Sequence, residues 1–145
     1  MNGGDNMKKE KTDKTVTIEQ TEFIRAKPQP VYEAFADPKK HSEFTGAEAT
    51  GEPKVGGEFT AWDGYISGKY LKLEKGKKIK AEWTTTEWPD SCVPSLLELT
   101  FAAKGDGTQV TLTHSKVPED QAKDYEQGWI DFYWKPLKKY FEKRM

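Results

Sequence analysis

A chain of 145 residues with 23 Lys and Arg against 24 Asp and Glu carries a formal net charge of -1, without the basic excess that nucleic-acid binding demands. Hydrophobic residues make up 34% and aromatics 12%, so large rings must supply burial that aliphatic side chains usually provide. No apolar run approaches the roughly 20 residues of a membrane span, one cysteine allows no internal disulfide and suits a reducing, cytoplasmic setting, and the length suits one folded domain.

The first segment, "MNGGDNMKKEKTDK", is polar, charged and glycine-containing. Residues 1–14 therefore read as a disordered tail and residues 15–145 as a single domain. "TVTIEQTEFI" alternates Val16 and Ile18 with polar neighbours and predicts a strand, bulged near Gln20 or Thr21. "PVYEAFADP" predicts a helix opened by Pro30 and closed at Asp37 and Pro38, with a further helical turn over residues 39–44.

Residues 47–115 predict consecutive strands parted by turn signals, an antiparallel meander. Asp63-Gly64 marks a tight hairpin, because its central positions favour positive φ. Gly68 relieves crowding in a curved strand. Ile79, Ala81 and Trp83 share one face, as do Leu97, Leu99 and Phe101, and then Val110, Leu112 and His114. Such alternation means that one face of the sheet is covered.

The cover is the last segment. Glu119 and Asp120 after Pro118 suit a helix start, and Tyr125, Trp129, Phe132 or Tyr133, Leu137, and Tyr140 or Phe141 recur at helical steps. Gly128 is expected to loosen this helix and Pro136 to bend it, since its ring crowds the carbonyl of Phe132.

These elements, with "PVYEAFADP", "VGGEFTAWDGYISGKYLKLEKGKKIKAEW", the "WP" of Trp88 and Pro89, the "LTF" of residues 99–101 and the "GW" of Gly128 and Trp129, resemble the activator-of-heat-shock-protein-90-ATPase homologue family, C-terminal-domain type, within the START-like (SRPBCC) superfamily. The resemblance covers residues from about 22 to 142. It implies an α+β helix-grip fold, in which a curved, TBP-like antiparallel sheet wraps a long C-terminal helix. It also implies a co-chaperone-like, non-enzymatic role in the stress response through contact with a chaperone of the heat shock protein 90 class. The eukaryotic co-chaperone's separate N-terminal domain, which makes its main chaperone contact, has no counterpart in this length.

A second reading follows from superfamily precedent: a small hydrophobic ligand held between the sheet and the C-terminal helix. Phe35, Phe59, Trp83, Phe101, His114, Trp129 and Tyr133 are the candidates to line that space. Trp88, beside Pro89 where a strand ends, is the candidate for a partner surface. In a third reading His114 acts as an acid or base on a bound ligand. No metal or cofactor site is expected, because neither His41 nor His114 has ligand-type residues at close spacing. Cys92, in a loop, has no neighbouring base in sequence, and the glycine turns lack the spacing of a phosphate loop.

Overall fold

A computed structural model describes residues 14–143. The expected tail lies outside the described residues, apart from Lys14. One seven-stranded sheet runs in the order β1-β7-β6-β5-β4-β3-β2, every neighbouring pair antiparallel. Its strands are β1 (Thr15–Ile24), β2 (Thr50–Gly51), β3 (Glu58–Ala61), β4 (Ile66–Glu74), β5 (Lys78–Thr85), β6 (Ser95–Lys104) and β7 (Gly107–Pro118). Helices α1 (Pro28–Ala36) and α2 (Pro38–Thr45) connect β1 to β2, and the C-terminal helix comprises α3 (Glu119–Trp129), a π-helical turn (Ile130–Trp134) and α4 (Lys135–Lys143). The result is the α+β helix-grip fold that the family resemblance implied.

The strands form where alternation is cleanest. In β5 burial alternates residue by residue, with Ile79, Ala81, Trp83 and Thr85 inward; β6 sends Ser95, Leu97, Leu99 and Phe101 to the same side. Between β1 and β6, β7 adds Val110, Leu112 and His114, all fully buried. Leu137, Trp134 and Trp129 press on this face from the C-terminal helix, so apolar surface on both layers leaves water together.

The connecting helices are set by local chemistry. Pro28, rather than Pro30, opens α1, since a missing N–H costs nothing in the first turn. Asp37 ends α1 and caps α2, its carboxylate accepting from Lys39 N at 2.9 Å. Gly46, at φ 80°, closes α2.

The bulge in the β1–β7 pair lies elsewhere than near Gln20 or Thr21. Val16 pairs with Val117 but Ile18 with His114, which puts the extra residue on β7, where Lys116 adopts φ 60°. Nothing in the alternation of β1 could reveal an insertion carried by its partner.

Pro136 acts as expected but one step upstream. Its ring crowds the turn before it, and the helix responds by widening: Lys135 N–H bonds to Ile130 O, five residues back. The widened turn adds a residue and changes the phase of the stripe. Tyr133 and Trp134 both point inward, Phe132 points out at 55% exposure, and Phe141 rather than Tyr140 is buried. Gln20 of β1 spans this irregularity. Ile130 N–H turns to Gln127 O, and the Glu126 carbonyl that it would have bonded in an α-helix accepts from Gln20 Nε2 at 2.9 Å. Gln20 Oε1 in turn accepts from the Trp134 indole at 2.6 Å.

Gly68 is required by close approach. A Cβ there would sit 2.0 Å from the Glu82 carbonyl and 2.4 Å from Phe59 Cζ, whose ring covers the bare backbone. Gly68→Ala is therefore expected to destabilise the fold by about 3 kcal/mol, read as a lower midpoint in urea unfolding with the slope unchanged.

Candidate functional site

The aromatic residues singled out in the sequence divide into a sealed interior and an open cleft. Where α1 and α2 cover the sheet the void is only about 40 Å³, room for a water or two and far below the roughly 300 Å³ of a small ligand pocket. Phe35 and Phe59 line this void, and Phe101 lies beyond it, packed on Tyr32 at 5.7 Å and Phe35 at 6.1 Å between ring centroids. The expected ligand space is thus nearly filled at its Phe35 and Phe59 end, while its other candidates, Trp83, Trp129 and Tyr133, also line a larger cleft between sheet and C-terminal helix. Those three form the wall between the two, with ring centroids 6.0 Å and 4.6 Å apart.

His114 lines neither space and has no exposed surface. Its hydrogen bonds define its protonation. The Trp129 indole can only donate, so Nδ1 of His114, 3.2 Å away, accepts. The proton therefore sits on Nε2, which donates to Ser95 Oγ at 2.8 Å, and Ser95 passes its own proton to the Trp83 carbonyl at 2.6 Å. A second proton on the ring would point at the indole N–H. Burial holds the pKa down at about 3, and with no path to substrate His114 is a structural link between helix and sheet rather than an acid or base.

His41 makes a parallel arrangement that the sequence did not disclose. Its Nδ1 lies 3.1 Å from the Phe35 carbonyl and so donates; its Nε2 accepts from the Tyr133 hydroxyl at 3.1 Å. Burial lowers the pKa of this imidazole also. Among the described residues no three His, Cys, Asp or Glu side chains gather as a metal site, and Cys92 is half-buried in the loop after β5.

The open cleft lies between α3 and the four-residue loop, 62–65, that joins β3 to β4. It measures about 480 Å³. Trp83, Trp129 and Tyr133 form its floor; Trp62, Tyr65 and the exposed Phe132 form its sides, and Glu87, Gln121 and Asp124 its rim. The loop is built on three successive residues of positive φ, Trp62 at 55°, Asp63 at 58° and Gly64 at 92°. Glycine accepts that conformation freely, whereas for tryptophan it is an unusual one. Asp63 secures it by accepting from Glu48 N at 2.9 Å while its own N–H donates to the Glu48 carbonyl at 3.0 Å. The Trp62 ring then packs edge-on against Phe132 at 5.5 Å.

The rim is cross-linked. Tyr65 O–H donates to Glu87 Oε1 at 2.7 Å, and burial together with that carboxylate raises the phenol's pKa. Tyr125 O–H donates to Gln121 Oε1 at 2.6 Å and accepts from Thr85 Oγ1 at 2.8 Å. Trp88 braces the same corner. It is half-buried rather than exposed, stacks on Tyr125 at 6.2 Å and donates to the Val93 carbonyl at 3.0 Å, which leaves little of it free as a partner anchor. Trp83, Trp129 and Tyr133 of the cleft floor were among the sequence candidates, whereas Trp62, Tyr65, Phe132, Glu87, Gln121 and Asp124 were not.

A family model described as activator of Hsp90 ATPase homolog 1-like protein matches residues 25–142. The chain belongs to that family. It is 29% identical over 126 residues to activator of 90 kDa heat shock protein ATPase homolog 1 of Homo sapiens, covering 87% of this chain and 36% of the relative. It is 30% identical over 116 residues to the Dictyostelium discoideum homolog, covering 79% of this chain and 30% of that one. The chain thus spans about a third of the length of these curated relatives. The crystal structure of an HSP90 activator from Plasmodium falciparum shares the fold, with a TM-score of 0.82 and 24% identity over 88% of this chain and 96% of that one.

Within this activator-homologue family member, the two buried histidines make stability fall with acid. A histidine whose folded pKa lies below its unfolded value of about 6.5 contributes its full stability above that pH and loses it as pH falls through the window down to the folded pKa. For His114 that window is 6.5 to about 3. For His114 unfolding free energy is expected to drop by roughly 1 kcal/mol per pH unit below pH 6, and the lowered pKa of His41 acts in the same direction. Urea titrations at pH 7, 6 and 5 measure it, and His114→Gln should remove one proton's share of the slope.

Gly128 has a different standing from Gly68. It is helical, and a Cβ would touch only Phe132 Cδ2, at an ordinary 3.8 Å. Gly128→Ala is expected to stabilise the fold by about 1 kcal/mol, from helix propensity alone, and to raise the melting temperature.

Proposed function

We propose that this chain is a non-enzymatic protein-contact domain whose partner is a chaperone of the heat shock protein 90 class, acting in the cytoplasm. The observation that carries the contact half of this reading is the contrast between an interior void of about 40 Å³ and an open aromatic cleft of about 480 Å³. A ligand carrier would have to use that same cleft, which is open to solvent on one side rather than enclosed. His114, the acid or base that the sequence pointed to, has no exposed surface. Aromatic side chains presented at a surface suit the anchors of protein interfaces.

The partner half rests on family membership and on the relatives, which are named as activators of the 90 kDa heat shock protein ATPase. Fold likeness alone would not supply it. Titration of a purified chaperone of that class with this chain should show saturable binding by calorimetry and a raised ATPase rate. Binding without acceleration would keep the contact and remove the activation; neither effect at large molar excess would overturn the proposal.

A further inference from the structure

Three locally unfavourable features converge on the cleft, although they lie on different elements. Trp62 is held at φ 55°, where a bulky side chain is strained. Gly128 lies within a helix with room above it for the methyl group that alanine would bring. The π-helical turn turns Phe132 outward to 55% exposure, and such turns gather at functional sites. Pro136 accounts for the widened turn, and the Phe132 that it turns outward meets Trp62 edge-on at 5.5 Å, so the two rings make one continuous side of the cleft while Gly128 leaves the adjoining helix face clear.

The charge of the cleft selects the occupant. Glu87 and Asp124 are its carboxylates, and no Lys, Arg or His lines it. Glu87 is oriented by the Tyr65 hydroxyl on one oxygen, and Asp124 has no hydrogen-bond or ion-pair partner among the described residues. An anion would meet only repulsion there. A purely apolar group could cover the rings but would gain nothing from the two exposed carboxylates at the rim. A cation on an apolar stem satisfies both surfaces, its stem along the rings and its head between π-faces and carboxylates.

We propose that the cleft seats the arginine or lysine side chain of an extended segment of a protein partner. The inference deepens the protein-contact reading and rests on it for the partner being a protein. The opening is consistent with a segment rather than a free amine, because at about 480 Å³ the cleft has room for neighbours of the basic side chain.

Three acetylated and amidated peptides test it, Leu-Arg-Leu, Leu-citrulline-Leu and Leu-Glu-Leu, titrated against the full chain by tryptophan fluorescence and by the indole N–H resonances. The arginine peptide should bind about tenfold more tightly than the neutral citrulline peptide, and the glutamate peptide not at all. Gly128→Ala should melt higher yet lose most of the arginine-peptide affinity, and Asp124→Asn with Glu87→Gln should erase the preference for charge. Equal affinity for arginine and citrulline, or full affinity in a more stable Gly128→Ala protein, would overturn the proposal. Choline binding as tightly as the peptide would show a free-amine site and overturn it too. Chaperone binding unchanged by Gly128→Ala would sink this inference and spare the proposed function; charge-selective peptide binding without any chaperone binding would do the opposite.

Discussion

The Trp129 indole N–H donates to His114, His114 to Ser95, and Ser95 to the Trp83 carbonyl, so a single directed run of hydrogen bonds joins the C-terminal helix to three adjacent strands, β7, β6 and β5. Every member is buried, and in so dry a setting each donor must have its acceptor. Reversing one proton would set donor against donor. The neutral histidine is therefore a condition of the helix sitting where it does, and the seal formed by Trp83, Trp129 and Tyr133 depends on that seating.

The helix itself departs from regularity at one place, and that departure determines which aromatic residues serve packing and which face water. With Pro136 unable to donate, the preceding turn widens, and its extra residue lets Tyr133 and Trp134 both enter the core while Phe132 leaves it. Gln20 makes the widened turn affordable by bonding the Glu126 carbonyl and the Trp134 indole with its two side-chain atoms. No buried side-chain nitrogen or oxygen among the described residues lacks a partner. A core of rings with polar edges is thus as well satisfied as an aliphatic one.

The same arrangement decides what kind of function the fold can support. Beneath α1 and α2 the sheet and the long helix meet through rings, which leaves only about 40 Å³ there. What remains open is the corner between the β3–β4 loop and α3, where the backbone is strained at Trp62 and the helix lacks a side chain at Gly128. Strain and missing side chains cost stability wherever they occur, and their gathering at one cleft sets it apart from the rest of the surface.

By itself the sequence determined the element order, the inward faces of β5, β6 and β7, and the apolar stripe of the C-terminal helix. These follow from period and from turn chemistry, which act over a few residues. Family membership was legible too, because its motifs are spread along the chain. Only the tertiary structure decided between Phe132 and Tyr133, brought in Trp134, moved the bulge to β7, and closed the interior that Phe35, Phe59 and Phe101 were expected to open. The reasons lie beyond any single period: Pro136 widens the turn before it and Gln20 of β1 satisfies that turn, β7 carries the insertion opposite β1, and rings from separate segments fill the space. No alternation read along one element records these.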